Sequence, residues 1–197
     1  HIYHQIQNHL LVIFLNSYED ISNNQIIRSL VIMVLRKDWE FNVLQICNYN
    51  KTGKLESYFN FIRNNIDELE GDICEVGVYR GHSLLAKTLL LKELENIRLM
   101  DGDFKETMKT GMLQDVKFMS VLMDCDLYES HKIALPFVWN RMFSNAYLYL
   151  DEFYSLKFPG ARIAVNEFFE HKLDKPEMYP RKPKDFERWF VINSCQS

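Results

Sequence analysis

The residues that follow Gly71 constrain the fold most tightly. Ile73, Cys74, Val76 and Val78 make a short β-rich apolar run, followed at once by Gly81 and a helix-forming stretch from Ser83 to Leu94. A strand, a tight turn and a helix in so few residues is the start of a β–α unit. Such units build parallel sheets, because parallel neighbours must be joined by a crossover. More strand-like runs follow at Val116 to Met119, Ser120 to Met123 and Ala146 to Leu150, with a helix from Tyr128 to about Met142 between the last two. The tail from Phe186 to Ile192, aromatic and β-branched, reads as a closing strand. The pattern predicts an α/β class with a doubly wound, mostly parallel sheet covered on both faces.

The first half of the chain reads differently. Between Gln25 and Asp38 the apolar residues Ile27, Leu30, Val31 and Val34 recur at helical spacing, and a shorter pattern of the same kind covers Ile2 to Leu15. Ser22 and Asn23 are good caps for the second of these helices, and Ser17 to Asn24 is polar enough to be the turn between the two. A third helix, roughly Leu55 to Leu69, follows the Lys51-Thr52-Gly53-Lys54 turn, with Tyr58, Phe59, Ile62 and Ile66 on one face. Residues 1–53 therefore read as a helical appendage, a lid or a dimer contact, and 54–197 as the sheet domain.

One stretch is physically awkward. Val116 to Met119 and Ser120 to Met123 both read as buried strands, yet adjacent parallel strands need a connection of about a dozen residues. Either they form one long strand, or a connecting loop is absent from the sequence. The second reading is favoured, and it places gaps near Met119/Ser120 and near Arg98/Leu99.

Composition closes off several function classes. The chain of 197 residues is 47% hydrophobic, enough for a real core, and its formal net charge of -4 comes with no basic run able to track a phosphate backbone. Nucleic acid is not the expected partner. The longest apolar stretches, Leu10 to Leu15 and Leu30 to Leu35, fall far short of the roughly 20 residues of a membrane span. Cys47, Cys74, Cys125 and Cys195 lie far apart with no C-x-x-C pair, which reads as reduced thiols in a cytoplasmic protein.

Three segments carry chemistry. Glu75-Val76-Gly77-Val78-Tyr79-Arg80-Gly81-His82-Ser83 lies between a strand and a helix, where glycines let backbone approach a ligand and a helix N-terminus offers free N–H groups; the same pattern also serves as a ligand-free turn. In Leu122 to Ser130, Asp124 and Asp126 follow an apolar strand, where open α/β sheets bind ligands and hard cations find oxygen donors. For Asp126 the plainer role is a cap on the next helix. Tyr149-Leu150-Asp151-Glu152-Phe153 again sets acids after a strand. Asp124, Asp151 and Glu152 thus offer three oxygens to one divalent ion, if they converge.

These segments, together with Phe158-Pro159-Gly160-Ala161-Arg162-Ile163-Ala164-Val165-Asn166-Glu167-Phe168, resemble the macrocin O-methyltransferase family of S-adenosylmethionine enzymes. The resemblance covers about Lys54 to Lys172, and the Glu75 to Ser83 turn also resembles catechol O-methyltransferase. It implies a Rossmann-like class I methyltransferase fold, with Glu75, Gly77, Tyr79, Gly81 and Ser83 around the methionine part of the cofactor. It further implies that Asp124, Asp151 and Glu152 bind magnesium, and that Asp124 takes the proton of the acceptor hydroxyl. Two positions depart from the pattern: His82 stands where the family has glycine, and Asp151-Glu152 where it has Asp-Asp. The acid that holds the cofactor ribose is a separate matter. Spacing of about 20 residues past the glycine turn points to Asp101, whereas the resemblance places that acid earlier, in a loop the sequence lacks.

Other residues have bland readings. His131 and His171 read as surface or packed helical histidines, although His131 follows the acidic segment closely enough to approach a substrate. Trp139, Phe143, Phe168 and Phe169 read as core, and Pro176 to Lys184 as a loop bordering the acceptor. The resulting expectation is an S-adenosylmethionine-dependent, magnesium-assisted O-methyltransferase acting on a small-molecule hydroxyl, that of a sugar, with a homodimer as the possible assembly. Its rivals are a catechol-like phenol methyltransferase and a non-catalytic cofactor-binding module, the latter marked by acids that point apart. A nicotinamide-nucleotide protein is disfavoured by the missing G-x-G-x-x-G turn.

Overall fold

The computed structural model describes residues 11–15, 55–65, 70–77, 97–109, 111–180 and 187–194. In chain order these form β1 (Leu11–Leu15), α1 (Glu56–Asn65), β2 (Asp72–Val76), β3 (Ile97–Asp101), the single turn α2 (Phe104–Thr107), β4 (Phe118–Met123), α3 (Tyr128–Trp139), β5 (Met142–Leu150), α4 (Pro159–Phe169), β6 (Glu177–Met178) and β7 (Trp189–Ile192). The strands make one seven-stranded sheet in the order β3-β1-β2-β4-β5-β7-β6. The first five are parallel; β7 runs antiparallel to β5, and β6 antiparallel to β7.

Alternation along the strands sorts the two faces. Cys74, Val76, Val121, Met123, Ala146, Leu148 and Leu150 join Phe104 of α2, Ala134, Leu135 and Val138 of α3 and Val165 and Phe169 of α4 in one core, where Trp139 packs edge-on against Phe169 at 4.9 Å. The opposite face of β5 meets α1: Tyr58 lies against Tyr149 at 5.9 Å, and Phe61 stacks on Tyr147 at 4.6 Å. Helices cover both faces of a mostly parallel sheet, so the fold is the Rossmann-like doubly wound α/β architecture. Trp139, Phe168 and Phe169 pack against one another, in keeping with their reading as core. Among the described residues no helix is long and apolar enough to cross a membrane.

Two expectations are overturned. The helical reading of Ile2 to Leu15 fails over its last five residues, because Leu11–Leu15 is a strand flanked by β2 on one side and β3 on the other. A run with no polar position has no readable period, so it fits a strand as well as a helix. The expected gaps fail as well. β4 is one strand running through Met119 and Ser120, and Arg98 and Leu99 sit inside β3, paired with Val12 and Ile13. The awkward doubling is resolved by a bulge: Asp72 pairs with Phe118 but Ile73 with Ser120, which leaves Met119 as the extra residue. The two apolar runs are halves of a strand buried throughout.

Smaller differences are of extent. α1 stops at Asn65, α3 stops at Trp139, β5 starts at Met142, the closing strand starts at Trp189, and the loop after Pro176 contains β6. The expected helices over Gln25 to Asp38 and Ser83 to Leu94 lie outside the described residues, as does the appendage apart from β1.

Candidate functional site

The candidate site lies where β2, β4 and β5 end side by side. Main-chain bonds carry the strand pairing past the strand ends: the Asp124 N–H donates to the Val76 carbonyl at 2.8 Å, and the Asp151 N–H to the Met123 carbonyl at 3.0 Å. Gly77 makes this contact possible. It has φ of +90°, and a Cβ built there would stand 1.8 Å from the Asp124 carbonyl oxygen. The missing side chain thus lets one strand-end loop seat against the next.

After β4 the chain turns through Asp126, whose φ is +55°. The half-buried side chains of Asp124, Asp126 and Glu152 place a carboxylate oxygen each within 4.8 Å of one another. Like charges this close repel by roughly 1–3 kcal/mol per pair at a partly wetted surface, a cost that a divalent cation among them removes. Hard oxygen donors from two strand ends suit magnesium or calcium in type and number, with water completing the shell.

Asp124 and Glu152 of the expected set are therefore brought together, but Asp151 is not in the group. It is 2% exposed, and its charge, after burial itself, helps push the Tyr149 phenol up from its ordinary range. The physical cause is the path of the chain beyond the strand ends. Asp151 and Glu152 lie in the turn after β5, which buries the first and leaves the second half-buried, whereas the turn through Asp126 brings its carboxylate to those of Asp124 and Glu152. The capping reading of Asp126 does not hold, since the residue preceding α3 is Leu127, without a side-chain cap.

Of the expected cofactor residues, Tyr79, Gly81 and Ser83 lie outside the described residues. Glu75 is fully buried in β2; the Tyr58 phenol is raised by its own burial first, lowered by the Ser120 hydroxyl, and raised further by the charge of Glu75. Asp101 is exposed at the end of β3. Because β1 lies between β2 and β3, Asp101 stands two strand spacings, about 10 Å, from the end of β2.

His131 does not face an acceptor. It is 1% exposed, with Nδ1 3.0 Å from the Leu127 carbonyl and 3.4 Å from Cys125 Sγ, and burial holds it below the ordinary histidine range. The Cys125 thiol is pushed up, by burial first and then by Asp124 and Asp126. Across α3 and α4, the Tyr128 hydroxyl and Lys132 Nζ both donate to Glu167, at 2.8 and 3.0 Å. His171 is exposed beside Glu170.

Comparison with solved structures agrees with the fold. The O-methyltransferase NovP superposes with a TM-score of 0.54 at 17% identity, over 74% of this chain and 81% of that one. CalS11, a TDP-rhamnose 3'-O-methyltransferase of calicheamicin biosynthesis, gives 0.49 at 13% identity, over 97% and 75%. No family model and no curated protein matches the sequence. At such identities the likeness to NovP is one of architecture alone, the Rossmann-like sheet.

Proposed function

We propose that this chain is an S-adenosylmethionine-dependent, divalent-metal-assisted O-methyltransferase whose acceptor is a small-molecule hydroxyl, that of a sugar. The observation that carries the reading is the oxygen cluster of Asp124, Asp126 and Glu152 at the carboxyl ends of β4 and β5, where open α/β sheets bind their ligands. The NovP-like architecture supports the class of reaction, and the resemblance of Asp126 to Ser130 and Pro159 to Val165 to the macrocin O-methyltransferase family supports the sugar.

Asp124, Asp126 and Glu152 would hold the cation, with the buried Asp151 a support rather than a ligand. A cation held there polarises a bound hydroxyl and lowers its pKa, and a sulfonium cofactor supplies an electrophilic methyl group. Asp124, fixed to β2 through its own N–H and the Gly77 contact, is the group placed to accept the hydroxyl proton at a carboxylate oxygen. The strand-end loops hold it in register, so its approach costs little reorganisation. Glu75, Gly77, Tyr79, Gly81 and Ser83 are assigned to the methionine part of the cofactor, and residues 1–53 to a lid or dimer contact.

Calorimetric titration of S-adenosylmethionine, with and without magnesium, against the native chain and Asp124→Ala tests this. Cofactor binding by both, with magnesium binding by the native chain alone, is the expected result. Absence of cofactor binding to the folded chain would overturn the proposal.

A further inference from the structure

The loop that closes β4 has two chemically different sides. Asp124 and Asp126 gather with Glu152, while Met123 belongs to the core under α3 and Cys125 packs against it. On that inner side Cys125 Sγ lies 3.6 Å from Met123 Sδ and 3.4 Å from His131 Nδ1. A thiol, a thioether and an imidazole nitrogen are together the donor set that soft metals select and that magnesium and calcium refuse.

We propose that Met123, Cys125 and His131 form a site for a soft monovalent cation of the copper(I) class. Three donors about 2.2 Å from a central ion stand about 3.8 Å apart, so the two separations from Cys125 Sγ need to open by only a few tenths of an ångström, and the Met123 and His131 side chains must close on a common ion beside it. Entry is through Cys125, the half-buried member; Met123 and His131 are buried. Binding exchanges the thiol S–H bond for an S–metal bond and releases one proton to solvent, with no electron transferred. The net charge of the pocket is unchanged, whereas a divalent ion would leave an extra positive charge in a largely apolar core. His131 Nδ1 must turn from the Leu127 carbonyl to the ion, its ring proton moving to Nε2. That carbonyl keeps the His131 backbone N–H at 3.1 Å, so no buried acceptor is orphaned.

The site rests on its own geometry and is read without methyl transfer. The test uses the full chain carrying Cys47→Ser, Cys74→Ala and Cys195→Ser, titrated anaerobically with copper(I) held by the chromogenic chelator bicinchoninate. One ion is expected per chain, lost in Cys125→Ser and weakened roughly tenfold or more in both Met123→Leu and His131→Asn. Binding by these last two variants as tight as the parent's would mean a solitary thiol and would overturn the proposal. Should a variant fail to fold, X-ray absorption of the copper-loaded parent decides: two sulfurs and one nitrogen support the site, and any other shell refutes it.

Discussion

Replacing Gly77 with alanine tests how the strand-end loops are joined. At φ of +90° a side chain adds about 1–2 kcal/mol of backbone strain. The new Cβ would also lie 1.8 Å from the Asp124 carbonyl oxygen and 2.6 Å from its carbon, and both atoms are backbone, so no rotamer change relieves the clash. The Asp124 peptide must retreat by roughly 1.5 Å to reach ordinary contact. That retreat breaks the 2.8 Å bond from Asp124 N–H to the Val76 carbonyl, worth about 0.5–1.5 kcal/mol, and overpacks the loop at about 1–3 kcal/mol more. The expected loss is about 3–6 kcal/mol, a large part of the total stability of a domain this size. Gly102→Ala is the control: its φ is +136°, but the built Cβ meets only the Thr107 Cγ2 at 3.2 Å, so strain dominates and the loss is about 1–2 kcal/mol. Urea unfolding followed by tryptophan fluorescence measures both. Losses within about 1 kcal/mol of each other would refute the reasoning, because the loop contact would then add nothing to the strain.

The remaining expectations are these. Asp126→Asn should weaken magnesium binding by roughly tenfold or more while leaving the fold intact, whereas Asp151→Asn should act on stability instead; calorimetry and thermal melts on the pair separate ligand from support. Lys132 and Tyr128 hold the Glu167 carboxyl below its usual range, Lys132 foremost, so the stability it contributes is present above the unfolded carboxylate pKa and is lost as pH falls through the lower folded value. Lys132→Ala should move the Glu167 titration upward in an NMR pH series, and an unmoved titration would contradict the ion pair. Val12→Pro should cost about 3 kcal/mol or more, since β1 has a strand on each side and a proline removes a ladder donor; a near-neutral effect would place residues 11–15 outside the sheet.

Local chemistry was legible wherever short-range pattern dictates structure. The run from Ile73 to Val76, the apolar face of α1 and the acids after β4 and β5 declare a parallel α/β sheet with polar groups at its carboxyl edge, because strand and helix periods are properties of neighbouring residues. Leu11–Leu15 was not legible: an unbroken apolar run fits a strand or a helix equally, and only its neighbours β2 and β3 make it a strand. Nor did Val116 to Met123 reveal a single strand, since the bulge at Met119 exists only against the register of β2. The site divides in the same way. Sequence supplied Asp124 and Glu152 by their place after strands, but the third oxygen comes from Asp126 and not Asp151, because direction depends on the turn at Asp126 and on β5 lying beside β4. The meeting of Met123, Cys125 and His131 likewise depends on α3 folding back over the strand that precedes it. Patterns along the chain determine which elements form; which side chains meet is decided by packing between elements, where the free energy lies in contacts distant in sequence.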